Sequence, residues 1–298
     1  MKKSILLILA LTSATLFFCY PVGYFVLDSN PITLDFPFSV TGGDGVGAYV
    51  INLDRSKERY ESIKNYVAEL ELPTERIEAV DGAALLQQEV NEKLDLDTYR
   101  AFFLNNPKRG TIGCSLSHIK VWQTFLKSTF KFAVIFEDDV SFEPNKLKVV
   151  ITDLLKNTDL WDLVNFETQG NRRMHVSIKT LVNNHDLCIY LGKVTHAGAY
   201  MINRKAAKNL LEKALPIKMH VDHYFNRPWE LDFKFTGVEN PRLVHQTFGD
   251  SDIGKTNRVS DDKVGALDVL KRLMWVSQTS IIRFAYNLRE YLFIKTGF

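Results

Sequence analysis

Three features of the sequence predict an α/β fold with a doubly wound, mainly parallel sheet in one domain. Short apolar runs alternate with amphipathic stretches of helical period, several runs stop abruptly at polar or acidic residues, and no internal repeat or low-complexity tract intervenes. In such sheets ligands bind beyond the carboxyl ends of the strands, so the residues directly after each run are the first functional candidates.

The N-terminus stands apart from this pattern. After Lys2 and Lys3, Ile5–Leu27 carries no charge and is long enough to cross a hydrocarbon core of about 30 Å at roughly 1.5 Å per residue. A transmembrane anchor over 1–27 is expected; the other reading is a cleaved signal peptide, for which Ser13 and Ala14 supply small residues. The apolar run continues through Phe17, Phe18, Tyr20 and Phe25, which favours the anchor and a single-pass membrane localisation. The next basic residue after Lys3 is Arg55, which would send the chain across the membrane, whereas the lack of an Asn-x-Ser/Thr sequon argues against a luminal glycoprotein; the side stays open. Residues 28–47, with Pro31, Pro37 and four glycines from Gly42 to Gly47, read as a stalk.

The domain itself is expected over 48–260. A strand Ala48–Leu53 leads to Ser56 as a helix N-cap, with Tyr60, Ile63, Val67 and Leu70 on one face. A short strand Arg76–Val80 ends in the turn pair Asp81-Gly82, helical material follows to Phe103, and another helix runs from about Gly113 to Leu126. Five apolar residues, Phe132–Phe136, are then stopped by Glu137-Asp138-Asp139. Further strands are expected at Leu163–Phe166, Ala199–Ile202 and Phe233–Val238, and a helix at Lys205–Leu215. In 261–298, Leu267, Leu270, Leu273, Ile281, Phe284 and Leu288 recur near helical spacing beside Lys271, Arg272, Arg283 and Arg289. This amphipathic helix lies on a membrane surface or packs its apolar face on the domain.

Composition narrows the partners. Of 298 residues, 46% are hydrophobic and 24% charged, and the 37 basic and 35 acidic residues are interspersed to a net charge of +2, which excludes a nucleic-acid-binding surface. Cys19, Cys114 and Cys188 have neither zinc-site spacing nor an even count, and read as buried thiols.

Two strand ends carry candidate chemistry. At the first, Arg55 and Arg59 lie four apart and can share a helix face that grips a phosphate or base edge, or simply open a solvated helix. At the second, three consecutive acids after a buried strand repel one another unless a cation relieves them. A hard divalent ion, Mn²⁺ or Mg²⁺, takes one or two carboxylates while substrate phosphates complete its shell, and so neutralises a diphosphate leaving group. The plainer reading is a solvated acidic turn.

The chain resembles the lipopolysaccharide-type glycosyltransferases of family 25, which include the collagen galactosyltransferases. The matching segments run in order: Val50–Arg55 with Glu58-Arg59, Glu78–Gly82, Gly110, Gly113–His118 with Trp122, and Glu137–Val140. Weaker matches follow at Ala199–Ile202, Ala206, Val221-Asp222, Pro241, Gln246 and Ser251. The resemblance spans about residues 48–255 and implies a glycosyltransferase A-type fold, a Rossmann-like nucleotide-binding half merged with an acceptor half. It also implies inverting transfer of a hexose, most often β-galactose from UDP-galactose, to a glycan or glycolipid acceptor. On this analogy Asn52, Leu53, Arg55, Arg59, Val80, Asp81 and Gly82 contact the nucleoside, and Glu137, Asp138 and Asp139 replace a metal-binding acidic motif. Asp139 and then Glu137 are the favoured ligands, with Asp138 assigned to the donor.

Further roles follow from the chemistry. In-line attack by an acceptor hydroxyl needs a general base, for which Asp222 in Val221-Asp222 is the candidate, or else a helix-capping aspartate. Ser117 and His118, read as the start of a helix, can bind donor phosphates through amides and hydroxyls. His245 can complete the metal shell from the far side. The competing functions are a metal-dependent nucleotide phosphohydrolase and a membrane-anchored carbohydrate-binding protein with a decayed transferase site.

Overall fold

The computed structural model describes residues 45–168, 174–247, 254, 256–260, 263 and 265–296. The expected anchor and most of the stalk lie outside these residues. The domain begins at β1 (Val46–Asn52), two residues inside the expected stalk, and all seven of its residues are buried. Helix α1 (Lys57–Ala68) then turns Ile63 and Val67 inward and returns the chain to β2 (Thr74–Glu78), parallel to β1.

Three helices follow: α2 (Gln87–Lys93), α3 (Leu96–Phe103) and the long α4 (Arg109–Lys127). They deliver β3 (Phe132–Glu137), which pairs parallel to β1 on its other side. A short β4 (Val140–Phe142) and α5 (Pro144–Leu155) lead to β5 (Leu163–Asn165). The hairpin β6 (His175–Thr180) and β7 (Asp186–Tyr190) comes next, followed by β8 (Ala199–Asn203), α6 (Arg204–Lys213), α7 (Val221–Phe225) and α8 (Pro228–Leu231). The chain closes with β9 (Phe235–Glu239), β10 (Val244–Gln246) and α9 (Ala266–Thr296).

The eight-stranded sheet has the order β2-β1-β3-β8-β5-β9-β7-β6, with β4 and β10 forming a separate antiparallel pair. It is mixed, which corrects the expected mainly parallel sheet. Only β1–β2, β1–β3 and β5–β9 are parallel, whereas β8 runs antiparallel to both β3 and β5, and β7 to both β6 and β9. The physical reason is connectivity: a parallel neighbour needs a crossover, and the segment from β6 to β8 contains no α-helix to make one.

Both faces of the sheet are covered. Tyr49, Ile51 and Ile135 pack with Ile112, Trp122 and Phe125 of α4 and Leu210 of α6, while Val50, Val134 and Phe136 pack with Ile63 of α1 and Val150 and Leu154 of α5. Alternate strand residues therefore belong to alternate cores.

Two expectations about the ends of the chain are corrected here. Among the described residues no helix is long and apolar enough to cross a membrane, against the single-pass localisation expected from residues 5–27, which lie outside them. The longest helix, α9, interrupts its apolar positions with charges such as Lys271, Arg272, Arg283 and Arg289. The apolar packing face expected for α9 is confined to its end, where Tyr291 and Ile294 pack against the core; its buried positions are Thr279, Arg283 and Asn287, while Leu267, Leu273, Ile281 and Phe293 stay exposed. Asn287 Nδ2 donates to the Tyr190 carbonyl at 2.7 Å, Arg272 donates to the Phe102 carbonyl, and Trp275 stacks on Phe102 at 4.2 Å between ring centroids.

Candidate active site

At the carboxyl ends of β1, β2 and β3 lies an open, solvent-filled cleft. Its walls come from Ile51–Arg55 after β1, Ala79–Gly82 after β2, one face of α4, and Glu137–Asp139 after β3. Asn52, Leu53, Arg55, Arg59, Val80, Asp81, Gly82, Ser117, His118, Glu137, Asp138 and Asp139 all line it; Asp222 and His245 do not.

Two glycines make this wall possible. A Cβ on Gly82 would stand 2.0 Å from the Arg109 carbonyl oxygen, and one on Gly113 2.5 Å from the Val80 carbonyl oxygen. The turn after β2 thus presses backbone to backbone onto α4, as only glycine permits. Ser117 Oγ clamps the contact, accepting from the Val80 amide at 2.8 Å and donating to the Gly113 carbonyl at 2.7 Å. The helix begins at Arg109 rather than near Gly113, which corrects the placing of Ser117 and His118 at a helix start. Both lie within α4, where backbone amides are taken by the helix ladder, so an amide-based phosphate site at those residues is lost.

The acidic triplet divides its labour. Asp138 accepts from Asn52 Nδ2 at 2.7 Å and pairs with Arg59 at 2.5 Å. Asn52 in turn accepts from Arg76 Nε at 2.9 Å, while Arg55 pairs with Asp81 across the cleft mouth. Asp139 Oδ2 accepts from Gln246 Nε2 at 2.9 Å and lies 3.2 Å from Arg59, yet its Oδ1 is buried without a hydrogen-bond partner. Burial and the neighbouring Glu137 push the Asp139 carboxyl up to about 6, against the pull of Gln246 and Arg59. A buried carboxylate with an orphan oxygen beside another acid fits a cation.

Glu137 faces α4. Its Oε1 lies 3.1 Å from His118 Nε2 and 3.9 Å from Cys114 Sγ, and ligand atoms of Cys114, His118 and Glu137 all fall within 4.8 Å of one another. His118 is held from behind by Tyr200 Oη at 2.9 Å from Nδ1, and Tyr200 Oη also accepts Trp122 Nε1–H at 2.8 Å. This buried chain fixes the imidazole against the acid.

His245 is exposed on β10 and does not line the cleft; strand alternation turns its neighbour Gln246 into it instead. Asp222 lies in the first turn of α7, with Oδ1 accepting its neighbour His223's amide at 2.7 Å and Oδ2 the amide of His196 at 3.0 Å. Sequence reasoning gave no site role to Cys114, Gln246 and Thr256, which line the cleft, or to the pair Glu167 and His196. Period-two alternation in Val244–Gln246 was the available signal for Gln246; nothing local marks the others.

The family model for glycosyltransferase family 25 (LPS biosynthesis protein) matches residues 46–225. The chain belongs to glycosyltransferase family 25. It is 28% identical over 231 residues to a glycosyltransferase 25 family member of Aedes aegypti, covering 72% of this chain and 38% of that protein. It is 34% identical over 135 residues to procollagen galactosyltransferase 2 of Mus musculus, covering 43% of this chain and 21% of that one. Among solved structures it is similar to S. aureus TarS in complex with UDP-GlcNAc, with a TM-score of 0.42 and 12% identity over 83% of this chain and 72% of that chain. The chain therefore spans well under half the length of these family relatives.

Proposed function

We propose that this family 25 chain is an inverting, metal-dependent glycosyltransferase that moves a hexose, galactose first, from a UDP-sugar to a glycan acceptor of lipopolysaccharide type. The observation that carries the reading is the orphan Oδ1 of Asp139 in an acid-lined cleft that also holds Arg55, Arg59 and the Val80–Gly82 turn. The similarity to procollagen galactosyltransferase 2 supports the choice of sugar. We read the fold as glycosyltransferase A-type, with the parallel β2-β1-β3 half taking the nucleotide and the antiparallel half beyond β3 taking the acceptor.

In this reading Asn52, Leu53, Val80, Asp81 and Gly82 hold the nucleoside. Arg59 neutralises Asp138 and stands ready beside the diphosphate. Asp139 and Glu137 would hold Mn²⁺ or Mg²⁺, whose chemistry when bound is to neutralise charge on the departing diphosphate. Gln246 fixes the Asp139 carboxylate, and His118 and Cys114 fix Glu137. An acceptor hydroxyl would approach the anomeric carbon from the side away from the diphosphate.

The test is acceptor-dependent UDP release from UDP-galactose, UDP-glucose and UDP-N-acetylglucosamine, measured with and without lipooligosaccharide, in Mn²⁺ and in EDTA. Release from UDP-galactose that EDTA abolishes supports the reading; release from none of the three, or release equal in EDTA, refutes it.

A further inference from the structure

Beyond Glu137, on the side of the sheet away from Arg55, a second polar group is built around one residue. His196 has φ +80°, in the left-handed region that a residue other than glycine holds only when its surroundings impose it. The surroundings do so from three sides. Its amide donates to Asp222 Oδ2 at 3.0 Å, its carbonyl accepts from Asn165 Nδ2 at 2.8 Å, and its Nδ1 lies 3.0 Å from Glu167 Oε1.

Glu167 is buried, its side chain 2% exposed, and its other oxygen accepts the Gly198 amide at 3.0 Å. A Cβ on Gly198 would stand 2.5 Å from that oxygen, so glycine is what admits the carboxylate. A carboxylate on Nδ1 fixes the neutral imidazole with its proton there and its lone pair on Nε2. The imidazole is 29% exposed, and Nε2 makes no hydrogen bond among the described residues.

Placement joins this group to the cleft. Phe136 pairs with Ala199, and the Glu137 amide donates to the Gly198 carbonyl at 2.7 Å, so His196 lies just before β8, the strand antiparallel to β3, at the end of the sheet that carries the acids. Ile135, Tyr200 and Leu163 share one core, which puts Glu137, Gly198 and Glu167 on that same face of the sheet. The cleft lining lies on the β1 side of β3 and His196, just outside that lining, on the β8 side, so in strand order the acids stand between the two.

We propose that His196 is the general base of the transfer and that Glu167 is its positioning residue; this rests on the donor reading above. The acceptor oxygen bonds to the anomeric carbon as the bond from that carbon to the diphosphate oxygen breaks, and UDP leaves with the electron pair. The hydroxyl proton passes to His196 Nε2, and the imidazolium formed is stabilised by Glu167. Asp222, the sequence candidate for the base, spends both oxygens on amides and serves to hold the His196 backbone. Glu167, Asp222 and Glu137 are the charged groups that bear on the imidazole, and the Glu167 hydrogen bond foremost raises its pKa.

The test uses His196→Asn, because asparagine tolerates the left-handed backbone and its amide can replace Nδ1–H toward Glu167 while leaving no ring nitrogen. UDP affinity is read by calorimetry in Mn²⁺, and kcat by UDP release from UDP-galactose. The proposal expects a fall in kcat of about 10²–10⁴-fold with UDP affinity unchanged within about twofold, and partial recovery of His196→Ala by added imidazole. Glu167→Gln should move the rise of rate with pH to lower pH, which a purely structural role would leave in place. Full kcat in His196→Asn overturns the assignment, as does loss of UDP binding in step with kcat. Failure of the wild-type chain to bind UDP instead overturns the donor reading, and shows itself before any variant is made.

Discussion

Replacing Asp139 by asparagine is expected to stabilise the metal-free protein while destroying its metal-dependent site. The Asp139 carboxyl is raised from 3.8 to about 6, so its ionised form is disfavoured in the folded state. The unfolded chain ionises first as pH rises. Stability is therefore lost between the two values and stays lost above 6. At about 1.36 kcal/mol per pKa unit, this amounts to about 3 kcal/mol at pH 7.5 and about half of that at pH 5. Asparagine removes the charge but keeps an oxygen for Gln246; it also gives up the attraction of Arg59, so a net gain of about 1–2 kcal/mol is expected, or about 3–6 °C in melting temperature. The assay is thermal unfolding in EDTA at pH 5 and pH 7.5, then with Mn²⁺. The gain should shrink at pH 5, and Mn²⁺ should stabilise the wild type but not Asp139→Asn. An Asp139→Asn protein that melts below wild type in EDTA at pH 7.5 refutes the reasoning.

Three further outcomes follow from the same geometry. Metal-dependent UDP affinity should fall by up to about tenfold per pH unit below 6, because Asp139 must ionise to bind a cation; calorimetry between pH 5 and 7.5 checks this. Gly113→Ala drives a methyl group to 2.5 Å from the Val80 oxygen, and should destabilise by about 2–3 kcal/mol in a melt or weaken UDP binding more than about tenfold. Tyr200→Phe leaves Trp122 Nε1–H unpaired and frees His118 Nδ1, and should cost about 1–3 kcal/mol in denaturant unfolding.

What the sequence made legible was local. The apolar run Phe132–Phe136 located β3, and Ala199–Ile202 located β8, each to within one residue, because buried strands need little but apolar residues of the right length. Strand direction was not legible: β8 reads the same whether parallel or antiparallel, since direction is set by the missing crossover and not by composition. Gly110 and Gly113 hid the first turn of α4, because glycine weakens a helix signal where a close backbone approach demands it. Likewise the apolar stripe of α9 left a membrane surface and the domain equally open, and Asn287 and Trp275 dock the helix on the domain through a hydrogen bond and ring stacking that no stripe encodes. Asn52–Arg55, Val80–Gly82 and Glu137–Asp139 sit at strand ends that local pattern marks, whereas Ser117 and His118 lie inside α4, and Glu167 and His196 meet through the β8–β5 pairing, which no local pattern encodes.

The central claim, that the Glu137–Asp139 cleft binds a nucleotide through a divalent cation, is tested most directly by calorimetric titration of UDP into the protein in Mn²⁺ and again in EDTA. The account predicts binding in Mn²⁺ that EDTA removes and that Asp139→Asn lacks even though it folds. Binding of equal strength in EDTA, or none at all to folded wild-type protein, would contradict it.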